Sequence, residues 1–117
     1  MTVSDYLYKK LSTIATTYPL NVPIEVKPPY IVYEVSGQEV TKTVSGVGYS
    51  EVFTTISVYE TEYDKAEDLA ELIKAELNDC KSEQNIIGAT FTSKATSYDG
   101  EPVDLYSTLL EYSIFER

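Results

Sequence analysis

DKAEDLAELIKAELNDC, residues 64–80, is the stretch whose reading decides the fold. Ala66, Leu69, Ala70, Ile73, Leu77 and Cys80 recur at i, i+3, i+4, i+7, i+11 and i+14. That spacing draws one apolar stripe along a helix. Lys65, Glu67, Asp68, Glu71, Lys74, Asn78 and Asp79 fall largely off the stripe, and Leu72 sits at its edge. Asp64 followed by Glu67 matches the ends of a capping box, and acidic residues crowd the first turns, where the helix dipole favours them. A helix apolar on one side must lie on something apolar. The β-rich segments on either side of it supply a sheet.

Upstream, residues 3–18 read as a first helix. Leu7, Leu11, Ile14, Ala15 and Tyr18 recur at helical spacing. Thr2 with Asp5, or Ser4 alone, caps its start, and Pro19 ends it. Residues 20–29 form a connector with Pro23, Pro28 and Pro29, leaving room for a short strand at 24–26. YIVYEV, residues 30–35, is a strand of aromatic and β-branched residues closed by Ser36 and Gly37. Ile31, Tyr33 and Val35 share one of its faces. GQEVTKTVSGVGYS, residues 37–50, is polar and threaded with glycine. It is either a loop or an arm made from the ends of two strands, and a connection this long in a compact domain is often functional. EVFTTISVYE, residues 51–60, is the second strand, with Val52, Ile56 and Val58 on one face.

Downstream, residues 86–97 read as the third strand, with Ile87, Ala89, Phe91 and Ala95 as its apolar face. Tyr98-Asp99-Gly100-Glu101-Pro102 is a turn. Residues 103–115 return as the fourth strand. It is apolar on both sides: Tyr106, Leu110, Tyr112 and Ile114 on one, Leu105, Leu109 and Phe115 on the other. Such a strand is central in a sheet or has its second face against another subunit. The expected fold is α+β in the order α-β-β-α-β-β: two helices on one face of a mainly antiparallel four-stranded sheet, in one domain over residues 1–117.

Composition narrows the function. The chain has 117 residues, enough to bury a core without a disulfide or metal. Its single cysteine, Cys80, lies on the helix stripe and reads as a small buried hydrophobe; it permits no internal disulfide and fits a reducing compartment. No apolar run is long enough for a membrane helix, and the first residues lack the basic-then-apolar pattern of a signal peptide. Nineteen acidic residues face nine basic ones, a net charge of −10. That argues against gripping duplex DNA through its phosphates or docking on anionic membrane. Eleven tyrosines suit either strands or protein interfaces.

The chemistry of catalysis is missing. There is no histidine, so no imidazole base, no Ser-His or Cys-His nucleophile and no His metal site. Gly46 and Gly48 lack the residues that make a phosphate loop. Glu60, Glu62 and Asp64 have no ligand loop around them and read as solvated surface charge. No enzyme, cofactor or metal is expected.

Four places carry a resemblance to a known family. They are the N-terminal helix with Tyr6-Leu7 and Leu11; Pro29-Tyr30-Ile31-Val32-Tyr33; Ile56-Ser57-Val58-Tyr59 leading through Tyr63 into Ala66, Leu69-Ala70, Ile73 and Leu77; and the terminal Tyr112-Ser113-Ile114-Phe115. In order and type they resemble the tail terminator, or tail completion, proteins of long-tailed bacteriophages and prophages. The resemblance implies a virion protein of the tail and neck, assembled in the host cytoplasm, with no catalysis. It implies a homo-hexameric ring that caps the head-proximal end of the tail tube, stops tube polymerisation and joins the head connector. The partners implied are a second copy, the tail tube protein and the head–tail connector protein, with DNA passing through the lumen without specific binding. The arm then becomes the candidate interaction site, through Gln38, Glu39, Thr41, Lys42, Thr43 and Tyr49. Two other readings stand beside this one: a different head–tail joining protein on the same scaffold, and a small ligand-binding or enzymatic α+β domain.

Overall fold

A computed structural model describes residues 2–19, 27–42, 48–78, 85–100 and 105–117, with the backbone alone at 39–42 and 99. In chain order the elements are α1 (Val3–Leu11), β1 (Thr17–Pro19), β2 (Tyr30–Lys42), β3 (Gly48–Glu60), α2 (Tyr63–Asn78), β4 (Ile86–Asp99) and β5 (Leu105–Glu116). The five strands form one sheet in the order β1-β2-β3-β5-β4. β1 runs parallel to β2; every other pair is antiparallel. The sheet is therefore five-stranded and mixed, where four strands were expected. The expectation for β5 holds: the strand apolar on both sides lies inside the sheet, between β3 and β4.

The extra strand comes out of the first helix. α1 begins as read, with the Thr2 hydroxyl accepting from the Asp5 amide at 3.0 Å and the Asp5 carboxylate accepting from the Thr2 amide at 3.4 Å. It stops at Leu11 instead of Tyr18. The run after Leu11 is Ser-Thr-Ile-Ala-Thr-Thr. The Ser12 and Thr13 hydroxyls donate to the carbonyls of Lys9 and Lys10, a local bond that competes with helix continuation. Ile14 and Ala15 still pack on the core, but Tyr18 lies in β1, paired with Val32. Pro19 closes an edge strand, a place where its missing donor costs little.

α2 carries the stripe read from its sequence. Ala66, Ala70, Ile73 and Leu77 are buried, Leu69 is half-buried, and Leu72 points to solvent at 55% exposure. The helix opens at Tyr63, which puts Asp64 inside the first turn and not at the cap. Glu67, expected to complete the capping box, turns to β4 instead. Cys80, the segment 24–26 and residues 101–102 of the expected 98–102 turn lie outside the described residues.

Both helices share one core on one face of the sheet. Tyr6, Leu7 and Leu11 of α1 and Ile73 and Leu77 of α2 meet Ile31, Ile56, Leu110, Tyr112 and Ile114 from the strands. The register places Ile31 opposite Val58, Ile56 opposite Leu110, and Val52 opposite Ile114, so these side chains line one face. Burial of the Tyr112 phenol pushes its pKa up to about 12, with the Glu71 charge adding to the shift.

Bulges reset this face in two strands. In β2 the register slips between Val35 and Gly37, and the Ser36 hydroxyl donates to the Phe53 carbonyl at 3.1 Å. In β4 it slips between Ile86 and Gly88 and again between Phe91 and Ser93, where the Thr92 hydroxyl donates to the Glu111 carbonyl at 2.7 Å. An extra residue turns every later side chain to the other face. The expected apolar face of β4 is corrected accordingly. Ile86 is buried and Ile87 is 38% exposed; Ala89 and Phe91 pack on the core; beyond Thr92 the side chains facing α2 are Lys94 and Thr96, while Ala95 is exposed.

Candidate protein-interaction surface

Residues 37–42 and 48–50 of the segment 37–50 pair with strand neighbours as an arm. β2 does not close at Ser36–Gly37. It runs on to Lys42, paired with β3 through Gln38–Val52, Glu39–Glu51, Val40–Ser50, Thr41–Tyr49 and Lys42–Gly48. Two 13-residue strands at about 3.3 Å per residue span roughly 43 Å. The molecule is accordingly elongated, 56 × 23 × 22 Å. Valine, threonine and tyrosine in this polar segment favour extended backbone, and the bulge at Ser36 adds twist where the arm begins.

Five of the six residues assigned to the arm from sequence lie on this one hairpin. Glu39, Thr41 and Lys42 are fixed in register by their backbones. Thr43 lies outside the described residues. Gln38 is exposed, and its side-chain amide donates to Glu116 at 3.3 Å; Asn85 donates to the other oxygen of the same carboxylate at 3.4 Å. Glu116 thus ties the arm base to the start of β4. Above this tie, Val3, Val35, Val52 and Gln38 line an open cleft of about 420 Å³ beside the start of α1. Val35 is 44% exposed there.

Tyr49 stands at the other side of the arm. It is 41% exposed and meets Phe115 edge-on at 6.1 Å between ring centres. With Ile87 these two rings line a shallow apolar depression on the helix-free face. Sequence reading missed Ile87 as a surface residue; Phe115 lies, half-buried, on the second face of the last strand, as expected. The available signal was the pair Ile86-Ile87: two adjacent residues of a regular strand cannot both face the core.

The helix-free face is acidic at its centre. Glu51 and Glu111 border a depression with Phe53, Thr55 and Ser113, and the Ser113 hydroxyl donates to Glu51 at 2.8 Å. Register puts Lys94 on the opposite face, where it pairs with Glu67 and Glu71. At the far end from the arm, Tyr106 packs against Tyr63 at 5.9 Å and Tyr98 at 4.6 Å, and Tyr30 stacks on Tyr59 at 4.8 Å. Burial, then the neighbouring Tyr59, raises the Tyr30 pKa above its ordinary value. The tyrosines divide between both roles: Tyr6 and Tyr112 fill the core, while Tyr8, Tyr49 and Tyr63 are exposed.

Among the described residues, no group of three or more His, Cys, Asp or Glu is placed to hold a metal ion, and no helix is long and apolar enough to cross a membrane. What the arrangement offers is surface: an extended hairpin, apolar rings at its base and carboxylates that repel phosphate.

Comparison with known proteins agrees in kind. The sequence model of a family described as "Tail completion protein gp17" matches residues 9–117. Among solved structures, a chain of the "Virion of native gene transfer agent (GTA) particle" superposes with a TM-score of 0.68 at 14% identity, over 94% of this chain and 90% of that one. At that identity the likeness is one of fold. No curated protein matches.

Proposed function

This chain belongs to the tail completion protein family, and from that premise we propose that it forms a ring, six copies in number, on the head-proximal end of the tail tube. It is a structural protein of the virion tail and not an enzyme. In the proposed role the ring stops further addition of tube subunits and presents its other side to the head connector. DNA passes through the lumen, where surplus carboxylates repel phosphate and let the duplex slide.

The observation that carries this reading is the arm. A hairpin that runs beyond its own core, with Tyr49 and Ile87 exposed and Phe115 half-buried at its base, is poorly explained by folding alone. Aromatic contact area of this kind is typical of protein interfaces. The arm residues Gln38, Glu39, Thr41, Lys42, Thr43 and Tyr49 are the proposed contacts to the tube or to a neighbouring copy.

The test is growth arrest. Purified chain is added to polymerising tube protein from the same virion, and tube length is followed by electron microscopy. The expected result is a ring at one end of each tube and shorter tubes as the chain is increased. A second chain replaces residues 40–50 by a two-residue Asn-Gly turn, which the Glu39–Glu51 pair can close as a tight hairpin. It should melt like the parent and fail to arrest growth. Unchanged tube length with the parent chain contradicts the capping role; arrest by the shortened chain removes the arm from it.

A further inference from the structure

The sheet has two outer edges that no described strand covers, and they are different edges. Among the described residues β1 pairs with Ile31, Val32 and Tyr33 alone, so no described strand covers the outer side of β2 from Glu34 to Lys42. β4 is last in the strand order, so no described strand covers its outer side along its 14 residues. Each edge presents a row of backbone N–H and C=O groups, a template for pairing with another chain. Natural sheets blunt such edges with charges or proline. Between residues 86 and 93, IIGATFTS, there is neither. Bulges at Ile87 and Thr92 twist the strand without charging it.

The charge distribution says which occupant fits. The chain carries −10 overall, and copies repel each other. Yet β4 sets Lys94 against Asp99, and the uncovered stretch of β2, residues 34–42, sets Lys42 against Glu34 and Glu39. Together the two edges carry a net −1 of the chain's −10, so two copies can approach there with little repulsion.

Strand direction adds a geometric condition. From β2 through β3 and β5 to β4 the strands alternate in direction, so β2 and β4 point opposite ways. Rotation about a ring axis preserves the direction of each strand along that axis. A β4 edge laid against the β2 edge of the next copy is therefore antiparallel, and the alternation continues across the junction. Contact between two different surfaces of one chain is head-to-tail, the kind that closes into a ring.

We infer that a second copy of this chain seats the outer edge of its β4 on the open outer edge of β2, joining the sheets of neighbouring subunits into one ladder. The inference rests on the ring proposed above and names the interface that builds it. Hydrogen exchange on the chain at low concentration, and on the assembled ring, tests it directly. Outward-facing amides within residues 34–42 and 86–99 should slow at least tenfold on assembly, while amides already paired between β3 and β5 change little. The variant Thr90→Lys with Ser93→Lys, at two exposed positions of β4, should melt near the parent and shift assembly to at least tenfold higher concentration. Leu72→Lys on the exposed side of α2 should assemble as the parent does. A ring whose edge amides stay unprotected, or an edge variant that assembles normally, overturns the interface and leaves the ring standing. A parent chain that never self-associates overturns both.

Discussion

Glu67 lies between two partners on β4, accepting from the Lys94 ammonium and from the Thr96 hydroxyl at 2.8 Å. The Lys94 bond, then the Thr96 bond, holds the Glu67 carboxyl below its ordinary 4.5, and the same contact raises Lys94. A carboxylate depressed in the folded state stabilises the fold fully above its unfolded value, and that contribution is lost as pH falls through the folded value. Glu67→Gln should therefore cost stability at pH 7 and progressively less below about pH 4.5, with the two melting curves converging in acid. A gap independent of pH would mean that the pair contributes nothing through charge. On the same helix, Ile73 is fully buried, Leu69 half-buried and Leu72 exposed. Urea unfolding should rank them: Ile73→Ala loses about 2–5 kcal/mol, Leu69→Ala less, and Leu72→Ala stays within about 0.5 kcal/mol. An equal loss at all three would contradict the stripe. The stripe was legible because helical period alone sets it. The Glu67 contacts were not, because they depend on a bulge at Thr92 that turns Lys94 and Thr96 toward the helix.

Whole elements divide the same way. α2, β3 and β5 follow from local pattern: a long 3.6-residue period in one, alternation in the others. α1 was overread because Leu7, Leu11, Ile14 and Ala15 keep helical spacing past the point where hydroxyl side chains end the helix. Its last residues instead serve a parallel pairing with β2, and no local signal announces a parallel partner. Around the proposed contacts, polar, glycine-threaded composition singled out the segment, while leaving open whether it was a loop or paired strand ends. Phe115 followed from alternation along the last strand, but Ile87 did not, since its exposure comes from the bulge between Ile86 and Gly88. The arm also gives the prediction proper to this scale. Its outer ladder, 39–42 with 48–51, closes only on itself, so its amides should exchange faster in the free subunit than those of residues 31–33 and 56–58 beneath the helices. Equal protection along the whole hairpin in a monomer would show that the arm is stabilised without a partner.

At the scale of the molecule, charge governs assembly. Six copies would bring together about 60 surplus negative charges, and exposed charges are screened beyond roughly 8–10 Å at physiological salt. Lys94 is already taken by Glu67 and Glu71, so closure of the proposed ring depends on ions in solution, on Lys42 near a neighbour's carboxylates, or on a complementary tube surface. The measurement that tests the central claim most directly is mass by light scattering, from low to moderate ionic strength, with and without tube protein. The account predicts a ring near six times the 13.1 kDa subunit mass at moderate salt or on tube ends, and dissociation toward the subunit as salt is withdrawn. A monomer under every condition, with no binding to tube ends, would contradict it.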